Sequence, residues 1–194
     1  MIGSERPHVL LSAVGELLEE QGERASIVVV GGASLNLLGL IERTTDDVDV
    51  IARAPDAGAE EAPALIPPDP LPDPLQNAVK RVTRDFGLEE EWLNTKIGEQ
   101  WTLGLPPSFE EDLTWQEYGG LRVGVAGRQS LIALKLFAAV DRGPESVHAQ
   151  DLVALSSTDA ELDEAAEGVR SQDTSPIFAE QLEEVIQHVR SVRS

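Results

Sequence analysis

The 194-residue chain contains no cysteine. Disulfides, zinc–thiolate sites and cysteine nucleophiles are therefore excluded. Positive charge is scarce: 15 Lys and Arg stand against 35 Asp and Glu, for a formal net charge of −20. Lysine occurs only at Lys80, Lys96 and Lys135. A surface that coats free nucleic acid needs clustered Lys and Arg, and this composition argues against one. The densest basic run, Lys80, Arg81 and Arg84 in "VKRVTR", reads equally as a solvated helix face or as a contact for an RNA phosphate. No apolar run approaches the roughly 20 residues that span a bilayer. The first residues, "MIGSERPHVLLSAVGELLEE", place acids soon after their apolar part and carry no small-residue cleavage site, so they do not read as a signal peptide. The expectation is a soluble, cytoplasmic protein with no membrane partner.

What is present is an ordinary globular composition, 41% hydrophobic, in a chain long enough to bury a core. Excess acid with little lysine is what salt adaptation or a high-GC genome gives any protein. A single acid therefore says little, and only a spaced acid pattern in the right structural context counts.

Apolar residues at helical spacing from Val9 to Leu18 predict an amphipathic helix over 8–20. "SIVVVGG" is a β-branched run closed by Gly31 and Gly32, the pattern of a buried strand. "ASLNLLGLIE" reads as a helix opening from the double glycine, and "DVDVIA" alternates like a second strand. Residues 53–74, rich in Pro, Ala and acid, read as a loop. Helical spacing resumes in "LQNAVKRVTRDFG", and "EEEWLNTKIGEQW" reads as a short helix. "LTWQEYGGLRVGVAG" predicts a hairpin about Gly119-Gly120. Helices follow in "RQSLIALKLFAAVDRG", "ESVHAQDLVAL" and "PIFAEQLEEVIQHVRSVR". This order predicts an α+β fold, a mixed sheet flanked by helices with a helical C-terminal part. The expected organisation is a core with an N-terminal helix over 1–126 and helices over 127–194 packed on it.

Asp47 and Asp49 lie two apart on a predicted strand, so both side chains leave one face. Close carboxylates repel unless a cation sits between them. Mg²⁺ suits such a pair, because it prefers oxygen ligands and commonly takes one or two carboxylates plus substrate phosphates. The glycine pair, between a strand and a helix, lets a phosphate approach the backbone. By alternation Thr45 and Arg43 share the face of the two aspartates, while Asp46 turns away and reads as solvated or as a turn cap. Against this stands the plain reading: a solvated acidic strand edge, a simple turn, a strand-favouring threonine and a surface arginine.

With these residues in place, the chain resembles the nucleotidyltransferase superfamily of the DNA polymerase beta type. That superfamily has a small-residue pair after the first strand and an acidic D-h-D-h motif on the second. "VVVGGASLNLLGLIERTTDDVDV" is similar to the AbiEii-like or MenT-like toxin–antitoxin branch, where R-x-T-x-D-x-D recurs; Arg43, Thr45, Asp47 and Asp49 fall on it in order. "EEWLN" and "SLIALKLFAAVDRG…HAQDLVAL" also resemble that branch, over roughly residues 25–156 in all. The resemblance implies Asp47 and Asp49 as Mg²⁺ ligands and catalytic residues, completed by Lys135 and Asp151 on later helices. It implies nucleotide contacts from Gly31, Gly32, Arg43 and Thr45, with Arg142 reaching a phosphate or capping its helix. Four departures stand out: Gly32 replaces a serine, the gap from Gly32 to Asp47 is somewhat longer than in the wider superfamily, "LRVGVAG" lacks the third acid of full polymerases, and His148 stands where the branch often has an aspartate.

Lys135 is the only charge between Arg128 and Asp141, and apolar residues surround it. It must snorkel to solvent or meet an anion, either a nucleotide phosphate or a carboxylate such as Asp151. His148 reads as a surface or packing residue, and Trp92, Trp101 and Trp115 as core or lid residues. Three functions remain open. The first is a Mg²⁺-dependent enzyme moving a nucleoside monophosphate from an NTP to an RNA or protein hydroxyl, with a cognate toxin or antitoxin as partner. The second is an inactive antitoxin or nucleotide-sensing subunit on the same fold. The third is a salt-adapted domain without a nucleotide site.

Overall fold

Six consecutive residues, Ala25–Val30, form strand β1, and all are buried. The computed structural model describes residues 6–41, 45, 47–55, 64–98 and 104–193. Helix α1 spans Arg6–Glu20, α2 Gly31–Leu37, β2 Val48–Ala54, α3 Asp73–Phe86 and β3 Leu93–Asn94. The hairpin strands are β4, Leu113–Tyr118, and β5, Leu121–Ala126. Four helices follow: α4 Arg128–Arg142, α5 Val147–Ala154, α6 Asp159–Gln172 and α7 Pro176–Arg193. Two units emerge from the contacts, Met1–Leu103 with Leu113–Ala126, and Gly104–Asp112 with Gly127–Ser194.

The first unit holds one five-stranded mixed sheet in the order β3-β2-β1-β5-β4. β1 runs antiparallel to β2 and parallel to β5; β3 is parallel to β2, and β4 antiparallel to β5. Alternate residues Ile27, Val29, Val48, Val50, Val123 and Val125 point to one face. There they meet Leu10, Leu11, Val14 and Leu18 of α1 and Leu75, Val79 and Val82 of α3. Each such side chain, fully buried, contributes about 1.5–3 kcal/mol, so this layer carries most of the unit's stability. α1 comes so close to the hairpin that a Cβ on Gly15 would overlap the Tyr118 carbonyl. That approach lets the Gly120 N–H donate to the Gly15 carbonyl at 2.9 Å. Burial pushes the Tyr118 phenol up to about 12.

In the second unit, α4 buries Leu131, Ile132, Leu136 and Val140. α5, α6 and α7 bring Leu152, Leu162, Val169, Leu182, Val185 and Val189, all buried. Asp112 caps α4, its Oδ2 accepting the Ser130 N–H at 2.9 Å. Arg128 ties three helix ends: it grips both Glu161 oxygens, at 2.7 and 3.2 Å, and donates to the Leu155 carbonyl at 2.8 Å. The guanidinium and the Thr158 cap hold the Glu161 carboxyl down at about 2.

The protein is thus α+β, with a mixed sheet flanked by helices and a helical C-terminal part. The sequence reading is corrected in three places. The segment read as a short helix at 89–101 is instead a turn, the two-residue β3 and a 3₁₀ turn at Lys96–Gly98, over its described residues. It is drawn extended because the Val48 N–H bonds the Trp92 carbonyl and Trp92 fills the core. α2 begins on Gly31 and ends at Leu37, ahead of Gly39 at φ +64°. α6 was not anticipated, because two of its four buried residues are alanines and the apolar stripe is faint. Among the described residues no helix is long and apolar enough to cross a membrane.

Candidate functional site

The antiparallel register pairs Val30, the last residue of β1, with Asp49 on β2. The turn after β1 is therefore delivered to the aspartate. Gly31 turns the chain at φ +76°. A Cβ there would collide with Asp49 Oδ2, so the carboxylate lies where a side chain would stand. At Gly32 a Cβ would come within 2.9 Å of Thr45 Oγ1. Thr45 in turn donates at 3.2 Å toward Asp47, with its carboxylate Oδ1 and its carbonyl both in reach. The glycine pair, Thr45, Asp47 and Asp49 thus form one contiguous cluster. Arg43 and Asp46 lie outside the described residues, as does Trp101.

β2 begins at Val48, so Asp47 precedes the strand and is exposed, while Asp49 lies within it and is half-buried. Val48 and Val50 point into the core. Alternation therefore sends Asp49 to the opposite face. β1 and β2 slip by one residue between Val28 and Val29, a bulge that leaves Ile51 unpaired two positions from Asp49. Bulges of this kind commonly re-aim side chains beside functional sites.

A residue that the sequence reading did not assign to the cluster also belongs to it. Asn94, on β3, is the register partner of Asp49, and its Nδ2 donates to Asp49 Oδ1 at 3.2 Å. A two-residue strand leaves no periodic signal, and the trace of Asn94 in the sequence is its place at the end of the "EEWLN" stretch that resembles the branch.

The donors fit a hard divalent cation. Asp47 and Asp49 offer carboxylate oxygens, and the Thr45 hydroxyl and Asn94 amide touch those carboxylates without cancelling their charge. Among the described residues no group of three or more His, Asp or Glu could by itself hold a metal ion. Asp47 and Asp49 could hold Mg²⁺ only together with other ligands, and Mg²⁺ commonly takes one or two carboxylates plus substrate phosphates.

The remaining predicted residues belong to the helical unit. Lys135 and Asp151 bond each other, Nζ to Oδ2 at 2.6 Å, with side chains only 9% and 5% exposed. Arg142 closes α4 and reaches its neighbour Asp141 at 3.3 Å, both well exposed. His148 lies half-buried on α5. In the first unit Trp92 is a core residue whose Nε1 donates to Thr83, and Trp115 lies under the Arg122 guanidinium at 4.4 Å.

A glycine turn closing the first strand, an acidic pair opening the antiparallel second, and a mixed sheet flanked by helices define a nucleotidyltransferase-like fold. The chain belongs to a family described as nucleotidyltransferase of unknown function (DUF6036), whose model matches residues 9–168. Neither the curated proteins nor the solved structures contain a match to the chain.

Proposed function

We propose that the cluster binds an NTP with Mg²⁺ and that the chain transfers the nucleoside monophosphate to a hydroxyl on RNA or protein, releasing pyrophosphate. The observation that carries this reading is the packing of the Gly31 backbone against the Asp49 carboxylate. It brings a turn that can approach phosphate to the acids that can hold the phosphate's counter-ion. Asp47 and Asp49 supply the metal oxygens. Thr45 orients Asp47, and the absence of side chains at Gly31-Gly32 lets the turn lie close against Asp49 and Thr45. A cation held there by Asp47 and Asp49 would supply positive charge against the phosphates. Little covalent work remains for the protein, so positioning and charge neutralisation carry the rate. The Arg43, Thr45, Asp47, Asp49 order supports placement with AbiEii-like or MenT-like enzymes of toxin–antitoxin systems, with a cytoplasmic cognate toxin or antitoxin as partner.

A second reading has its own observation. The cation expected to meet a phosphate, Lys135, already has a buried anion in Asp151. A pair so satisfied suits a structural role, and with it a nucleotide-sensing or antitoxin subunit without turnover.

One experiment separates the two. The full chain is incubated with each α-³²P-NTP, Mg²⁺ and total RNA or protein, beside D49N and the double variant K135M/D151L. The enzyme reading expects label transfer in wild type and a loss of at least 10²-fold in D49N, an oxyanion-scale electrostatic effect. Transfer that survives in K135M/D151L assigns the buried pair to structure. No transfer from any NTP, with a melting temperature still raised by NTP and Mg²⁺, favours the sensing subunit.

A further inference from the structure

We infer that Asn94 is a positioning residue for the cation site, holding the Asp49 carboxylate in the orientation a small divalent cation requires. This rests on the metal-and-nucleotide reading above and gives a role to Asn94, the last residue of "EEWLN", to which the resemblance assigns none.

Asn94 is anchored from several directions. Its Oδ1 accepts the Lys96 backbone N–H at 3.0 Å. Because that partner can only donate, the amide's oxygen must face Lys96, and Nδ2 is thereby turned to Asp49 Oδ1. The backbone beneath it is fixed too. β3 pairs with β2 at Val48 and Asp49, and Trp92 is locked by its core packing and its bond to Thr83 on α3. The Asp49 carboxylate is then held on both sides: Oδ1 by the amide, Oδ2 against the Gly31 backbone.

The chemistry of residue 94 matters as much as its place. An amide donor orients a carboxylate and leaves its charge intact. A lysine there would compete with the cation, and an aspartate would add repulsion. Neighbours that orient ligating carboxylates typically account for 10–100-fold in metal affinity. Mg²⁺ demands near-ideal octahedral geometry, whereas Ca²⁺ tolerates irregular, flexible sites. Loss of orientation should therefore hurt Mg²⁺ more than Ca²⁺, whereas a general loosening of the fold would lower both alike.

The test uses Mn²⁺ alone as probe. Free Mn²⁺ is followed by electron paramagnetic resonance as it is titrated into the full chain, with Mg²⁺ and Ca²⁺ as competitors. The site is defined as the Mn²⁺ bound by wild type and lost in D49N. N94A is expected to weaken that Mn²⁺ about 10–100-fold and to lower Mg²⁺ competition more than Ca²⁺ competition. N94S, too short to reach Asp49 but still polar, is read in its place if N94A shifts the urea midpoint. A wild-type Mn²⁺ affinity in the variant, or an equal loss for Mg²⁺ and Ca²⁺, overturns the positioning role and leaves the metal reading standing. If D49N loses no Mn²⁺, the metal reading itself falls and this inference falls with it.

Discussion

At Gly31 two independent constraints meet. Its φ of +76° is one that side-chain-bearing residues avoid, and the Asp49 carboxylate occupies the space a Cβ would need. Strain at such a backbone typically costs about 1–3 kcal/mol, and moving the carboxylate adds to it. Gly31→Ala should therefore lower the urea midpoint by a corresponding amount. It should also weaken Mn²⁺ binding, since it pushes Asp49 off its position. A stable Gly31→Ala variant with unaltered Mn²⁺ binding would show that the glycine is not needed for the acid's placement. Gly31→Ala thus works through sterics and Asn94→Ala through a hydrogen bond, on opposite oxygens of one side chain.

Elements matter here through their ends. β3 is only two residues long, yet it extends the sheet by the one register step that faces Asp49. Its pairing with β2 outweighs the helix-favouring acids and Leu88 before it. In the helical unit, Arg128 at the start of α4, the end of α5 and Glu161 in the first turn of α6 share one bidentate contact. The pH dependence follows from its sign. Glu161 titrates near 2 in the folded protein, below the ordinary glutamate value of 4.5. A depressed carboxyl stabilises the fold above its unfolded pKa, and that contribution fades as pH falls from about 4.5 toward 2. Glu161→Gln should thus cost about 1–2 kcal/mol at pH 7, the size of a charge-assisted hydrogen bond. The gap between variant and wild type should narrow in urea titrations as pH falls below 4.5 and close near pH 2. A gap that stays constant down to pH 2 would mean that Arg128 gains nothing from the charge on Glu161.

On the scale of the whole molecule, each unit buries apolar residues of its own, and the chain carries a net charge of −20. Such an excess repels itself in the folded state. Salt also weakens ion pairs such as those of the half-buried Arg190 and Arg193 with the exposed Asp159 and Asp163, but acids outnumber bases 35 to 15, so relief of repulsion should dominate. Raising NaCl from about 20 mM to 0.5 M shortens the Debye length from over 20 Å to under 5 Å. The melting temperature should rise by about 2–4 °C per kcal/mol relieved, as measured by differential scanning fluorimetry. A flat or falling response would assign the acids to local ion pairs.

Periodicity and turn chemistry in the sequence determined the α+β class, the β-α-β opening, the hairpin about Gly119-Gly120 and the amphipathic α1, α3 and α7. These follow from neighbours a few residues apart, and such patterns survive in a linear string. The D-x-D motif and the glycine pair could likewise be nominated from spacing. Tertiary structure alone decided what touches what. The antiparallel register of β1 on β2 set Gly31 against Asp49, the one-step pairing of β3 brought Asn94 from 45 positions away, and helix packing joined Lys135 to Asp151. Such contacts depend on register and crossing geometry, which arise from the simultaneous burial of many side chains and leave no mark on any one segment.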